Sequence, residues 1–191
     1  PKTNEQVFDA SALPPRALEA LGVRFVITSD VRNDLAPIAR NGDRCLYRIA
    51  NPAPRVQFFP SKRAEFEAES RIPEMFAAGS WDRLLLEPPA RRYVPSGAAV
   101  NVTAGLTYSR PSPGEIRIQS SNSQPGFVYV LESFDPGWSA GVDGAPAPVL
   151  PANGFAMATP VPPGAHAVRL VYETPGRPTG IILSLASLVL L

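Results

Sequence analysis

The sequence predicts a mostly β chain. It divides into a small α+β unit over residues 1–90, an all-β sandwich of six to seven strands over 91–179, immunoglobulin-like or jelly-roll-like, and the start of a membrane-spanning helix at 180–191. Three observations carry this. First, 23 prolines in 191 residues interrupt the helical hydrogen-bond ladder too often for long helices. Second, 45% of residues are hydrophobic, enough for a chain of this length to bury a core rather than remain disordered. Third, the composition changes along the chain. Residues 1–90 carry 12 basic and 12 acidic side chains against 6 and 5 in 91–191, while eight prolines lie in residues 1–87 and fifteen in 88–191. The boundary falls in the turn-rich segment Glu87-Pro-Pro-Ala-Arg-Arg92.

Pro14-Pro15-Arg-Ala-Leu-Glu-Ala-Leu21 opens with proline, tolerated in a first helical turn, and ends at Gly22, the residue favoured just past a helix end. Val23-Arg-Phe-Val-Ile-Thr28 is β-branched and aromatic and predicts a buried strand. Arg44–Ile49 and Arg55–Phe59 predict two more strands, Ile72–Ala78 before Gly79 a short helix, and Arg83-Leu-Leu-Leu86 an apolar strand. Beyond the boundary Val100, Val102, Ala104, Leu106 and Tyr108 alternate with polar or small residues, so one face of a strand meets a core. Ile116/Ile118 and Phe127/Tyr129/Leu131 continue the pattern. Asp143-Gly144 marks a type I′ hairpin, which needs positive φ at both central positions. After Pro162-Pro163-Gly164, His166, Val168, Leu170 and Tyr172 share one face of a last strand. Turn signals every eight to twelve residues are those of a sandwich.

A net charge of +1, with 16 arginines and two lysines spread along the chain, excludes a clustered phosphate-binding stripe, so no nucleic-acid partner is expected. The single cysteine, Cys45, makes neither an internal disulfide nor a zinc site and reads as a small buried hydrophobe. Pro1–Asp9 is polar and has no apolar segment of a signal peptide. Ile181–Leu191 is uncharged with only two serines. Eleven residues are too few for a bilayer span, and the reading is the first half of a transmembrane helix rather than an amphipathic core helix.

Three stretches carry a family likeness. They are Glu132-Ser-Phe-Asp-Pro-Gly-Trp-Ser-Ala-Gly-Val-Asp-Gly144, Pro162-Pro-Gly-Ala-His-Ala-Val-Arg-Leu-Val-Tyr172, and the apolar run beginning at Gly180. Together they resemble the YfhO-like bacterial membrane proteins, large polytopic proteins whose membrane portion looks like that of the lipid-linked-sugar glycosyltransferases of the GT-C type. In that family a Pro-Gly-Trp turn leads through a short strand to Asp-Gly, a Gly-x-His-x-Val-x-(apolar)-x-Tyr strand follows, and a transmembrane helix comes next. The motif positions are Pro136, Gly137, Trp138, Gly144, Gly164, His166 and Tyr172. Leu21–Thr28 also looks like the family's strand that begins the soluble region. The likeness spans most of the chain and is specific between about 127 and 191; Gly141 stands where the family often has a larger residue.

The resemblance implies the C-terminal extracytoplasmic domain of a cell-membrane protein. Its partners would be its own transmembrane domain and the bilayer, with glycan or lipid-linked sugar as a further contact, and no cofactor is implied. A GT-C enzyme keeps its catalytic carboxylate in a loop near the first transmembrane helices, a region this chain does not contain. The chain is therefore expected to be non-catalytic, even if the whole protein is a membrane glycosyltransferase. The alternative is a self-contained carbohydrate-binding sandwich module of a secreted protein.

Candidate glycan contacts are Asp135, Trp138 and Asp143. In Asp135-Pro136-Gly137-Trp138 proline presets φ and glycine supplies positive φ for a tight turn. An exposed indole beside a carboxylate suits a sugar, whereas an indole anchoring a core end is the preferred reading, since tryptophan is highly buried on average. His166 is the only histidine and has no acidic residue within four positions, so a satisfied, partly buried imidazole is preferred to a metal ligand. Asp135 and Asp143 lie across one short strand at about 3.3 Å per residue, too far apart for the paired carboxyls of glycoside hydrolysis. Glu65, Glu67 and Glu69 would share one face if extended, as a solvated edge rather than a cation site. Asn101-Val-Thr103 matches a glycosylation acceptor but falls within an expected strand.

Overall fold

The computed structural model describes residues 13–176 together with 180, 184 and 187. Helix α1 (Pro15–Ala20) starts on proline, and Gly22 takes φ +66° just beyond it, so proline and glycine bracket the helix as expected. Strands β1 (Phe25–Thr28), β2 (Ala36–Asn41) and β3 (Arg44–Arg48) form an antiparallel sheet in the order β1-β3-β2. Leu18 of α1 packs with Val26, Tyr47 and Ile49 on one face of it. Among the described residues nothing covers the other face. Within the expected buried strand Val23–Thr28 only Val26 is buried, while Phe25 and Ile27 are 51% and 68% exposed. A three-stranded sheet with one short helix has a single inner face, so apolar residues on the alternate positions remain outside.

Strands β4 (Val56–Pro60), β5 (Ala64–Phe66), helix α2 (Ile72–Ala77), β6 (Leu84–Leu86) and a 3₁₀ helix over Pro88–Tyr93 follow. Eight strands come after: β7 (Gly105–Ser112), β8 (Glu115–Asn122), β9 (Gly126–Val130), β10 (Trp138–Val142), β11 (Ala145–Ala147), β12 (Leu150–Ala152), β13 (Ala156–Val161) and β14 (Gly164–Tyr172). One sheet has the order β11-β10-β14-β8-β7 and the other β4-β9-β13-β12-β6-β5. The change of composition near residue 90 does not coincide with a break in hydrogen bonding, because the six-stranded sheet takes β4, β5 and β6 from before it and β9, β12 and β13 from after it.

The fold is mostly β and sandwich-like, with a small helical part. Ile116, Ile118, Val168 and Leu170 of the five-stranded sheet pack against Val56, Val128, Val130, Met157 and Val161 of the six-stranded one. On the far side of the six-stranded sheet a second core joins Phe59, Leu84, Leu86, Phe127, Tyr129 and Leu150 to Ala90 and Tyr93 from the 3₁₀ helix and its end. This double cover explains why β9 and β6 are apolar at successive positions. Burial of each large aliphatic or aromatic side chain there contributes roughly 1.5–3 kcal/mol relative to exposure.

Three local expectations change. Residues 100–104 lie outside β7, which begins at Gly105; Val100 N–H donates to Ser123 O, 2.9 Å, where the chain has run past the end of β8. Asn101 is therefore exposed and outside a strand. The glutamate row does not form one extended face: Glu65 lies in β5 and pairs with Arg83, Glu67 pairs with Arg71 at 3.1 Å, and Glu69 is in a 3₁₀ turn. β2, unforeseen, is exposed at every position and carries a bulge between Pro37 and Ala39. At the C-terminus Gly180, Ser184 and Ser187 have helical backbone. The rest of the expected helix start at 180–191 lies outside the described residues, among which no helix is long and apolar enough to cross a membrane.

Candidate functional site

The two motif stretches become neighbours. β10 and β14 pair antiparallel with Trp138 opposite Tyr172 and Val142 opposite Val168. Asp135–Trp138 and Tyr172 thus gather at one end of the pair, and Asp143, Gly144, Gly164 and His166 at the other.

At the first end Asp135 Oδ1 accepts the Gly137 N–H at 2.7 Å, and Asp135 O accepts the Trp138 N–H at 3.0 Å. This is a side-chain-capped turn in which the carboxylate replaces a backbone acceptor. Pro136 is exposed at its tip. Gly137 does not take positive φ; its role is close approach. A Cβ there would lie 2.5 Å from Glu173 O and 2.7 Å from Tyr172 Cε2, and Glu173 N–H donates to Gly137 O at 2.9 Å. Trp138 is half-buried, packs against the inter-sheet core, and has its ring 5.3 Å from that of Tyr172 at 57°. Burial first, then the charge and hydrogen bond of Asp135, raise the Tyr172 phenol above its ordinary value.

At the second end Asp143 and Gly144 take φ 52° and 82°, and Val142 pairs with Ala145, so the two-residue type I′ hairpin is formed as the sequence predicts. Asp143 Oδ1 accepts the Ala167 N–H at 2.8 Å, and Asp143 Oδ2 lies 2.6 Å from His166 Nδ1. An ionised carboxylate only accepts, so Nδ1 carries the proton. The His166 ring lies over Gly164, whose Cβ would be 3.1 Å from Nε2, and Nε2 is 3.3 Å from Pro163 O. The imidazole is therefore partnered and largely covered, 15% exposed, as its strand position predicts. Its acidic partner stands 23 residues earlier in the chain and is brought to it by the β10–β14 pairing.

An Asp–His pair is the orienting half of a nucleophilic triad, but the general base there needs Nε2 directed at a hydroxyl or thiol. Here Nε2 faces a backbone carbonyl, and no hydroxyl or thiol of the described residues is hydrogen-bonded to it. The pair ties the β10–β11 turn to β14. Hydrogen bonds from His166 first and from the Ala167 N–H second hold the Asp143 carboxyl below its ordinary value. A group with a depressed folded-state value stabilises the fold above its unfolded pKa, near 3.9 for aspartate, and loses that contribution as pH falls through the folded value. Asp143→Asn keeps the turn and an acceptor for Ala167 while removing the charge beside His166. It is expected to cost about 0.5–1 kcal/mol at pH 7, a figure already reduced for the half-exposed carboxylate. Urea unfolding at pH 7 and pH 3 checks this: the gap between variant and wild type should narrow at the lower pH.

Asp135 and Asp143 stay at opposite ends of β10, and each is used in its own turn. The outer surface between them is a shallow groove whose lining includes Ser139, Gly141, Pro146, Ala167, Arg169 and Val171, with no aromatic face on which a sugar ring would stack. Among the described residues no three His, Cys, Asp or Glu side chains converge as metal ligands.

Sequence reasoning missed the polar clasp at Asn153. In the left-handed region at φ 53° and 5% exposed, it accepts the Leu85 N–H at Oδ1, 2.8 Å, and donates its own N–H to Leu85 O at 2.9 Å. Asn153-Gly154 is itself a turn signal, but its partner β6 lies 68 residues away. No family model, curated protein or solved structure matches the chain.

Proposed function

We propose that the chain is a non-catalytic extracytoplasmic accessory domain of a polytopic membrane protein related to the lipid-linked-sugar glycosyltransferases, with a role in packing on the membrane domain. The observation that carries this reading is the coincidence of the three motif stretches: two are adjacent strands, and the second leads, through Gly180, into the uncharged sequence 181–191. The commitments of Asp135, Asp143, Trp138 and His166 to turn and core contacts favour packing over glycan contact. They also leave no carboxylate pair or activated nucleophile for turnover. In cells, the native protein is expected to stay with membranes after a carbonate wash and to lose this domain when intact spheroplasts are treated with protease. Release by the wash, or protection until the spheroplasts are lysed, would overturn the proposal.

A further inference from the structure

We infer that the uncovered face of the β1-β3-β2 sheet is a membrane-contact surface that takes anionic lipid headgroups at its arginines and places its apolar side chains in the bilayer interface. This deepens the reading above and rests on it. Four of the seven exposed large hydrophobic residues among those described, Phe25, Ile27, Val31 and Ile38, fall within this small unit, at 51%, 68%, 74% and 46% exposure. The register places Phe25 beside Arg48 and Ile27 beside Leu46, with Ala36 and Ala39 on the far side of Arg48 and Leu46. Strand alternation adds Arg44 to the same face. The Arg48 guanidinium lies 5.9 Å from the Phe25 ring centroid, which confirms that they share it. An exposed apolar cluster of this kind marks an interaction surface.

Charge selects the occupant. On this face β3 carries Arg44 and Arg48, and neither arginine is in an ion pair among the described residues. Apolar side chains flanked by unpaired arginines match an anionic interface, where the rings and aliphatic groups enter the headgroup region and the guanidinium groups bind phosphate. The unit also sits at the end of the sandwich from which β14 departs. Tyr172 N–H donates to Gly114 O at 2.8 Å, Arg110 donates to Pro113 O and Glu132, and the neighbouring Leu131 donates its N–H to Arg55 O at 2.9 Å and packs beside Gly22. The C-terminal end of β14 at Tyr172 therefore lies toward the end that bears the apolar, cationic sheet.

The test is cosedimentation of the full chain with vesicles of phosphatidylglycerol and phosphatidylcholine at 1:3, and of phosphatidylcholine alone. Arg44→Gln with Arg48→Gln is expected to weaken binding to the anionic vesicles by roughly ten- to thirty-fold, at about five-fold per arginine. Ile27→Ser is expected to weaken it by roughly five-fold, from the partly buried side chain lost. All three positions are exposed, and circular dichroism checks the fold. As an independent readout, an environment-sensitive fluorophore on Ile27→Cys in a Cys45→Ser background should shift to the blue on anionic vesicles, whereas one on Thr107→Cys should not. If the chain binds vesicles with both variants unaffected and the position-27 label silent, this surface is wrong and the membrane reading stands on the rest of the chain. If the chain binds no vesicle at all, this inference fails, while the reading above is decided separately by the carbonate wash and the protease treatment. If Ile27→Ser instead abolishes a dimer seen in sedimentation and leaves vesicle binding unchanged, the face is a protein interface and the inference is overturned.

Discussion

Replacing Asn153 by alanine is expected to lower the stability of the fold by about 3–5 kcal/mol, summed from three losses. Alanine at φ 53° meets the left-handed penalty of roughly 1–2 kcal/mol without the local side-chain hydrogen bonding that lets asparagine occupy this region. The Leu85 N–H, on a strand that is fully buried, loses its acceptor, and an orphaned buried donor costs about 1–3 kcal/mol. The Tyr129 hydroxyl, hydrogen-bonded to Asn153 and raised well above the ordinary phenol value chiefly by burial, loses a partner as well. Asn153→Gly separates the contributions, since glycine accepts the backbone angle but supplies no side-chain oxygen. It should recover roughly 1 kcal/mol of the loss and leave the rest. Urea unfolding of the two variants and wild type reads this directly. An alanine variant as stable as wild type would mean that the clasp between β6 and the β12–β13 turn does not hold the second core closed.

The parts of the fold legible in the sequence are those whose signal is local. Proline at the start and Gly22 at the end bracket α1; Asp143-Gly144 specifies a two-residue hairpin; the alternation His166, Val168, Leu170 gives the inner face of β14. What was not legible depends on covers and partners supplied from elsewhere. Val23–Thr28 has the composition of a buried strand, yet among the described residues nothing covers Phe25 and Ile27. β2, Ala36–Asn41, has proline and a bulge and no inner face, so it shows no period of two. The continuous apolar runs of β6 and β9 do not say that they share one sheet across the composition boundary, because pairing at long sequence separation leaves no local trace. The same holds for the site: His166 and Asp143 are 23 residues apart in sequence and meet only through the β10–β14 register. Asp135-Pro-Gly-Trp138 was legible as a turn, but the reason for its glycine was not.

That reason yields the second large effect. Gly137→Ala is expected to destabilise the chain by about 2–3 kcal/mol, the cost of an added methyl group where packing is already closed. The new Cβ would sit 2.5 Å from a backbone oxygen, Glu173 O, and 2.7 Å from Tyr172 Cε2. Relief requires the end of β14 to move away from β10, which breaks the hydrogen bond from Glu173 N–H to Gly137 O and parts the Trp138 and Tyr172 rings. Gly144 and Gly141 serve as internal controls on the same strand pair. Gly144 has φ 82° and nothing within 4 Å of its Cβ position, so alanine there meets only the backbone penalty, roughly 1 kcal/mol. Gly141 has no such angle and its nearest atom, Ala145 O, is at 3.5 Å, ordinary contact, so alanine there should be close to neutral. If close approach is what Gly137 provides, the order of damage is Gly137, Gly144, Gly141, and only the first substitution shifts Trp138 emission to the red in a Trp81→Phe background. Were Gly144→Ala the more damaging, the turn would depend on backbone angle, and the contact between the Pro-Gly-Trp turn and the end of β14 would be incidental to how the two motif stretches are held together.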